Sequence, residues 1–213
     1  MYISWHGLTM CKIGNKETTV VVNPFDASTG LTPLRPKAEV IALSAQQDKA
    51  FSNIKAVKGD PFVITGPGEY EIAGISIQGI QTFHDNTQGK DAGLNNIYVM
   101  DVEGVKVCHL GYLGHSLTDK QLEKIGEVDV LLVPVGGGNG LDTKKAVSVT
   151  GQIEPRIVIP INYKLPKIKA KLSALEPFLK EMGATGAEAT NKLSLRKSNL
   201  PSEDTEVVVL NKT

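Results

Sequence analysis

Aromatic residues are scarce in this chain of 213 residues, at 5%, with a single tryptophan. A broad base-stacking platform for single-stranded nucleic acid needs more of them. Net charge is absent too, because 23 Lys and Arg balance 23 Asp and Glu. That balance excludes a bulk-electrostatic nucleic-acid binder, although a local basic patch is allowed. Only two cysteines occur, Cys11 and Cys108, far apart and each inside an apolar run. Two reduced, buried thiols are expected rather than a disulfide. No stretch of about twenty apolar residues exists to span a bilayer. The segment Met1 to His6 lacks the basic start and apolar run of a signal peptide. The expected location is the cytoplasm, with no membrane contact.

What is present describes an ordinary globular protein. Hydrophobic residues make up 41% and charged residues 22%, which argues against disorder. A chain of this size buries roughly 70% of its unfolded surface, enough for one sizeable core. One domain spanning 1–213 is expected, since no repeat, low-complexity tract or linker divides it.

Strands come first along the chain. Thr18 to Val22 is β-branched and stops at Asn23-Pro24. Glu39 to Leu43 and Phe62 to Thr65 are short apolar runs. Tyr70 to Ile80 alternates and reads as one long strand, bent at Gly74 and Gly79. Asn96 to Val102 and Val105 to His109 flank Glu103-Gly104, a hairpin signal. Helices enter later. Thr118 to Gln121 is a capping box, and its helix closes at Gly126. Val128 to Val135 and Arg156 to Ile161 are continuous apolar runs, the signature of strands covered on both faces. Between them Asp142 caps a helix that stops before Pro155. Ser173 to Glu176 predicts another capping box, for a helix ending at Gly183. Leu193 to Arg196 and Glu206 to Leu210 read as final strands. The pattern gives an α/β (α+β) class, with mixed sheets sandwiched between helices.

Several pieces, in order, resemble the metallo-β-lactamase superfamily. They are Asn23-Pro24-Phe25, Gly66 to Tyr70, Phe83-His84-Asp85, His109 to His115, Pro134 to Gly137 and Ile159 to Tyr163. Nearly the whole chain is covered, and the subgroup suggested is that of Zn-dependent hydrolases similar to ascorbate-phosphate lactonases. The resemblance implies an αββα sandwich with two mixed sheets between helices. It also implies a metal-ligand loop of the form His-x-His-x-Asp-His after a buried strand. Here that loop reads Ala45, Gln47, Lys49 and Ala50 at the ligand positions. Tyr112 stands where the bridging Asp belongs, and Asn162 where the final His belongs. Asn23 stands where an Asp is usual, and Gly7-Leu8-Thr9 replaces a Gly-His-Ser. Only His84 matches a ligand.

Catalytic zinc needs about three protein ligands and an open position. Ala45 and Ala50 offer no donor atom, and the Lys49 ammonium repels a cation. The resemblance therefore leads to the expectation of a metal-free pseudoenzyme, without a cofactor, binding a small ligand or a protein partner in the old cleft. The alternative is an active hydrolase of a phosphate ester, lactone or RNA, with a site rebuilt around His84. The candidate pocket residues are Gln47, Asp48, Lys49, His84, Asp85, His109, Tyr112, His115 and Asn162.

Each candidate has a blander reading. His84 beside Asp85 is a ligand-pocket histidine or relic in preference to a metal ligand. His109 and His115 could complete a three-histidine site, but loop anchoring is preferred for His115. Lys49, Asp48 and Tyr112 could form a metal-free acid–base group, with a solvated Asp–Lys ion pair as the preferred reading. Gly136 to Gly140 resembles a phosphate cradle yet lacks the P-loop ending, so a loop lining the old cleft is preferred. Lys164 to Lys171 is a basic rim that invites nucleic acid, although a solvated connection is preferred. Assembly into oligomers is allowed.

Overall fold

The computed structural model describes residues 1–213. The chain order is β1 (Tyr2–Trp5), β2 (Cys11–Gly14), β3 (Thr19–Val22), β4 (Val40–Ala42), β5 (Phe62–Ile64), β6 (Gly68–Ile72), β7 (Ile75–Phe83), β8 (Leu94–Val102), β9 (Val105–His109) and α1 (Asp119–Ile125). It continues with β10 (Val130–Pro134), α2 (Thr143–Ile153), β11 (Ile157–Ile161), α3 (Glu176–Glu181), β12 (Ala189–Thr190), β13 (Leu193–Ser194), β14 (Glu206–Val207) and β15 (Val209–Leu210). A six-stranded sheet runs β13-β1-β2-β3-β4-β5, and a seven-stranded sheet runs β14-β11-β10-β9-β8-β7-β6. Both mix parallel and antiparallel pairs.

Side-chain alternation packs the sheets together. Val20 and Val22 of β3 and Val40 and Ala42 of β4 enter the main core with residues from the second sheet. Val21 and Ile41, between them, face the other way into a smaller cluster with Phe25, Leu31 and Val57. That outer face is covered by connections carrying short 3-10 turns at Ala27–Thr29, Lys49–Phe51 and Ile54–Ala56, not by an α-helix. The second sheet's β10 and β11 are buried at every position. The three helices cover it through Ile125, Ala146, Val149, Ile153 and Phe178.

The α1 capping box forms as expected: Thr118 accepts from the Gln121 N–H, and the Gln121 side chain accepts from Thr118. Asp142 likewise accepts from the Lys145 N–H at 2.9 Å to open α2. Three expectations are corrected. Tyr70 to Ile80 is not one bent strand but the β6–β7 hairpin. Ala73 and Gly74 both take positive φ there, the two-residue turn that lets strands twist together. Ser173 does not cap α3. Its N–H donates to the Gly136 carbonyl, and the helix begins after Leu175 with Pro177 in its first turn. Glu206 to Leu210 divides at Val208, whose N–H donates to Val158, so β14 and β15 join different sheets. The strands β1 and β2 had no sequence expectation. β1 lies between β2 and β13, pairing Ile3 with both Ile13 and Leu193.

Candidate functional site

The loops after β4, β7, β9, β10 and β11 gather at one rim of the sandwich. The rim is laced across the two sheets. The Asn96 N–H donates to the Ser44 carbonyl at 2.8 Å, the Tyr98 hydroxyl to Leu43 at 2.8 Å and the Asn162 N–H to Leu8 at 2.9 Å.

Asn23 takes positive φ at the end of β3. Its side-chain Oδ1 accepts from the Ser44 N–H at 2.7 Å, and its side-chain Nδ2 donates to the Thr9 hydroxyl at 3.2 Å. It therefore orients the start of the loop after β4. In that loop Ala45 is buried and Lys49 is exposed. The Gln47 amide donates to the Leu94 carbonyl at 2.6 Å, stitching this loop to the one after β7. Asp48 accepts from the Ala50 N–H at 3.0 Å and caps the turn Lys49–Phe51. The expected Asp48–Lys49 ion pair does not form, because Lys49 reaches no carboxylate.

Tyr112 is buried, with its ring between Phe51 and His84, each at a centroid distance of 5.0 Å. Its hydroxyl lies beside Thr9 without a hydrogen bond of standard geometry. Burial pushes the phenol well above its ordinary value, so it stays protonated. Gly111 before it takes positive φ, and a Cβ there would sit 2.5 Å from both Ser44 Oγ and Asn95 Oδ1. Only glycine lets the turn pass this close.

The histidines part company. His109 is fully buried. Its Nε2 donates to the Thr9 carbonyl at 3.0 Å and its Nδ1 accepts from the Gly111 N–H at 3.0 Å. Burial lowers its pKa to about 4 against the Thr9 contact, so the ring is neutral and structural. His115 Nε2 accepts from the Phe83 N–H at 3.2 Å and its Nδ1 donates to the Ser116 carbonyl at 2.7 Å. Both rings are spent on backbone, so the three-histidine arrangement does not assemble. His84 is half-buried and stands at the end of β7, against Tyr112. Burial lowers its pKa, while the Asp48 and Asp85 charges and the Ala92 backbone oppose the shift.

Asp85 is committed elsewhere. Its carboxylate accepts from the N–H groups of Thr87, Gly89, Asp91 and Ala92 and from the Thr87 hydroxyl. Burial alone would raise this carboxyl, but the backbone donors outweigh it and hold it far below the carboxylate range. The group shapes loop 85–92 and has little basicity left for proton transfer. Asn162, with positive φ, is buried at the end of β11.

The donor set does not fit a metal held in the way the resemblance implied. Two positions are alanine, Gln47 is spent on a carbonyl and Tyr112 is a protonated phenol. No group of three or more His, Cys, Asp or Glu side chains is arranged to hold an ion. The open space lies next door. A cleft of about 370 Å³ is lined by Asp85, Asp91, Gly137, Asn139, Lys145 and Ser173 among others. A second, of about 530 Å³, is lined by Gly136, Lys164, Ile168, Lys169, Lys171 and Leu172 among others. Gly138 and Ser173 border both. The glycine loop, expected to line a cleft, does so, and the lysine segment, expected to be a solvated connection, lines one as well.

A family profile described as the beta-lactamase superfamily domain matches residues 2–162. The chain belongs to that family. A crystal structure assigned as a Zn-dependent hydrolase of the metallo-β-lactamase superfamily, from Thermotoga maritima, is similar over nearly its full length. Its TM-score is 0.80 at 37% identity, covering 98% of this chain and 97% of that one. A UPF0173 metal-dependent hydrolase of Natranaerobius thermophilus is 30% identical over 123 residues, 58% of this chain and 54% of the relative. A UPF0173 protein of Pyrococcus furiosus is 34% identical over 157 residues, 71% of this chain and 69% of the relative. The chain spans about half the length of the first two curated relatives it matches. These names correct the expectation of a metal-free pseudoenzyme. Several of the relatives are metal-dependent hydrolases by name, which points to a hydrolase. No helix of the chain is long and apolar enough to cross a membrane.

Proposed function

We propose that the chain is a hydrolase acting at the rim described above, with His84 as the proton-accepting group. The observation that carries this is the division among the rim histidines. His109 and His115 have both ring nitrogens tied to the backbone. His84 alone of the three is not locked in that way, and it adjoins Asp48 and Asp85. Its lowered pKa keeps the imidazole neutral at pH 7, the form that accepts a proton.

The chemistry open to it is attack of water on an ester, lactone or phosphoryl centre. Neutral His84 takes the water proton as the oxygen adds, the nearby carboxylates stabilise the imidazolium that forms, and that imidazolium returns the proton to the leaving oxygen as its bond to carbon or phosphorus breaks. The names of the relatives support hydrolysis as the reaction class. No step is assigned to a metal, because the donor set does not fit one.

The test is a turnover panel on the purified protein: p-nitrophenyl phosphate, bis(p-nitrophenyl) phosphate, a γ-lactone and a short RNA. Each is run with added zinc or manganese, and with chelator. One substrate should turn over, and His84→Gln should lower kcat by roughly a hundredfold, within the usual range for a general base. The rate should fall on acidification, with a midpoint below the ordinary imidazole value of 6.5. No turnover across the panel, or full activity in His84→Gln, defeats the proposal.

A further inference from the structure

We infer that the cleft between the glycine loop and residues 164–173 binds the phosphate groups of a small phosphorylated molecule. This rests on the hydrolase reading of the same rim and names the substrate class for it.

The segment from Lys164 to Ser173 carries Lys164, Lys167, Lys169 and Lys171 and no acid. All four are exposed, and none reaches a carboxylate within ion-pair distance. Asp26 feels the Lys169 charge without pairing to it. Four unpaired ammonium groups in one short segment repel one another, and an anion relieves that repulsion. Three of them, Lys164, Lys169 and Lys171, line the cleft of about 530 Å³. A solvated tail would scatter these charges, but this segment is fastened. The Lys164 N–H donates to the Ser173 carbonyl at 2.8 Å, and the Ser173 N–H to Gly136 at 2.8 Å. The Lys169 N–H donates to Thr29 at 2.9 Å, and Gly30 packs so closely on the Lys167 carbonyl that a Cβ would collide with it. The backbone that carries the cluster is therefore held in place before any ligand arrives, which lowers the ordering cost of binding.

Size and surroundings select the ligand. A volume of this order suits a single small molecule. Leu165, Ile168 and Leu172 are half-buried in the same wall and offer apolar contact to the rest of it. The zero net charge and scarce aromatics disfavour an extended nucleic-acid track. Gly138 and Ser173 also border the adjoining cleft of about 370 Å³, which Asp85 lines.

The test is calorimetric binding of pyrophosphate and ATP at about 0.1 M salt, with adenosine as the uncharged control. Binding is measured without turnover, so failure here is distinct from failure of the hydrolase reading. Wild type should bind both anions and not adenosine. The triple variant Lys164→Gln, Lys169→Gln and Lys171→Gln should lose at least tenfold in affinity, on the order of one charge-assisted hydrogen bond. A matched triple, Lys55→Gln, Lys58→Gln and Lys120→Gln, should bind as wild type. Circular dichroism and thermal melting check that both variants fold. Absence of binding, or equal loss in both triples, overturns the inference. Preferential binding of a single-stranded RNA, with a steep salt dependence that the cleft triple abolishes, also overturns it in favour of a nucleic-acid surface.

Discussion

Acid should destabilise this protein through His109 from about pH 6.5 downward, before most of its carboxylates protonate. The ring is fully buried, and burial lowers its pKa from the ordinary 6.5 to about 4. Between those two values the unfolded chain binds the proton and the folded chain does not. Unfolding then takes up protons, so stability rises with pH across the window. The contribution is complete above about pH 6.5 and gone below about pH 4. At about 1.4 kcal/mol per pH unit, that gap corresponds to about 3 kcal/mol. Such a loss is a large part of the usual 5–15 kcal/mol for a domain, roughly speaking. His84 and His6 are also lowered by burial and add to the same window. The His109 share is isolated by His109→Gln, which keeps a donor and an acceptor for Thr9 and Gly111 but cannot titrate. Urea unfolding at pH 7.5, 6.5, 5.5 and 4.5 gives the free energies directly. At pH 7.5 the variant should be less stable, by about 1 kcal/mol or more, because the amide fits less well. Its further loss on going to pH 4.5 should be smaller than that of wild type by about 2–3 kcal/mol. Parallel losses in the two proteins would refute the assignment of the titration to His109.

Three further outcomes follow from particular contacts. Gly111→Ala places a methyl group against Ser44 Oγ and Asn95 Oδ1 on a positive-φ backbone. It should cost about 2 kcal/mol or more by chemical denaturation, and a Tm equal to wild type would contradict the close approach. Asp142→Ala removes the α2 cap and should cost about 1 kcal/mol, recovered by Asp142→Ser. Asp85→Ala leaves loop 85–92 without its central acceptor, so the Gly89, Asp91 and Ala92 amides should exchange hydrogen faster while β10 and β11 stay protected. Unchanged exchange at those three amides would mean the carboxylate does not hold the loop.

Much of the fold could be read from local chemistry. The α1 capping box, the Asp142 cap, the Glu103-Gly104 hairpin and the two fully buried strands rest on neighbours within a few residues. Where a distant partner decides, the reading failed. The Ser173 motif looked like a cap, but Gly136, far back in the chain, takes its N–H. Gly74 looked like a bend because nothing local distinguishes a bulge from a turn that reverses the strand. The site shows the same boundary. The departures at Ala45, Gln47, Ala50 and Tyr112 were visible from sequence, and so was His84 as the surviving match. That His109 spends its ring on Thr9, and His115 on Phe83, was not visible, since these partners lie 100 and 32 residues away. The Gln47 contact with Leu94 is of the same kind. Reaction class was the larger miss. Counting lost ligands argued against catalysis, whereas the relatives are metal-dependent hydrolases by name.

The pairing of β1 with β13 has a consequence for biosynthesis. Tyr2 meets Ser194, so one flank of β1 has its partner only after synthesis has passed that residue. Until then Tyr2 to Trp5 presents open backbone donors and acceptors on an apolar strand, while β2 and β3 have already stacked on its other side. Such an edge recruits strands from neighbouring chains. Closing it requires a loop running from Tyr2 to Ser194, which is slow. Ribosome-bound intermediates that end before Leu193 are therefore the species most exposed to aggregation and to chaperone capture. Slowing translation ahead of that residue should lower the soluble yield more than slowing it afterwards.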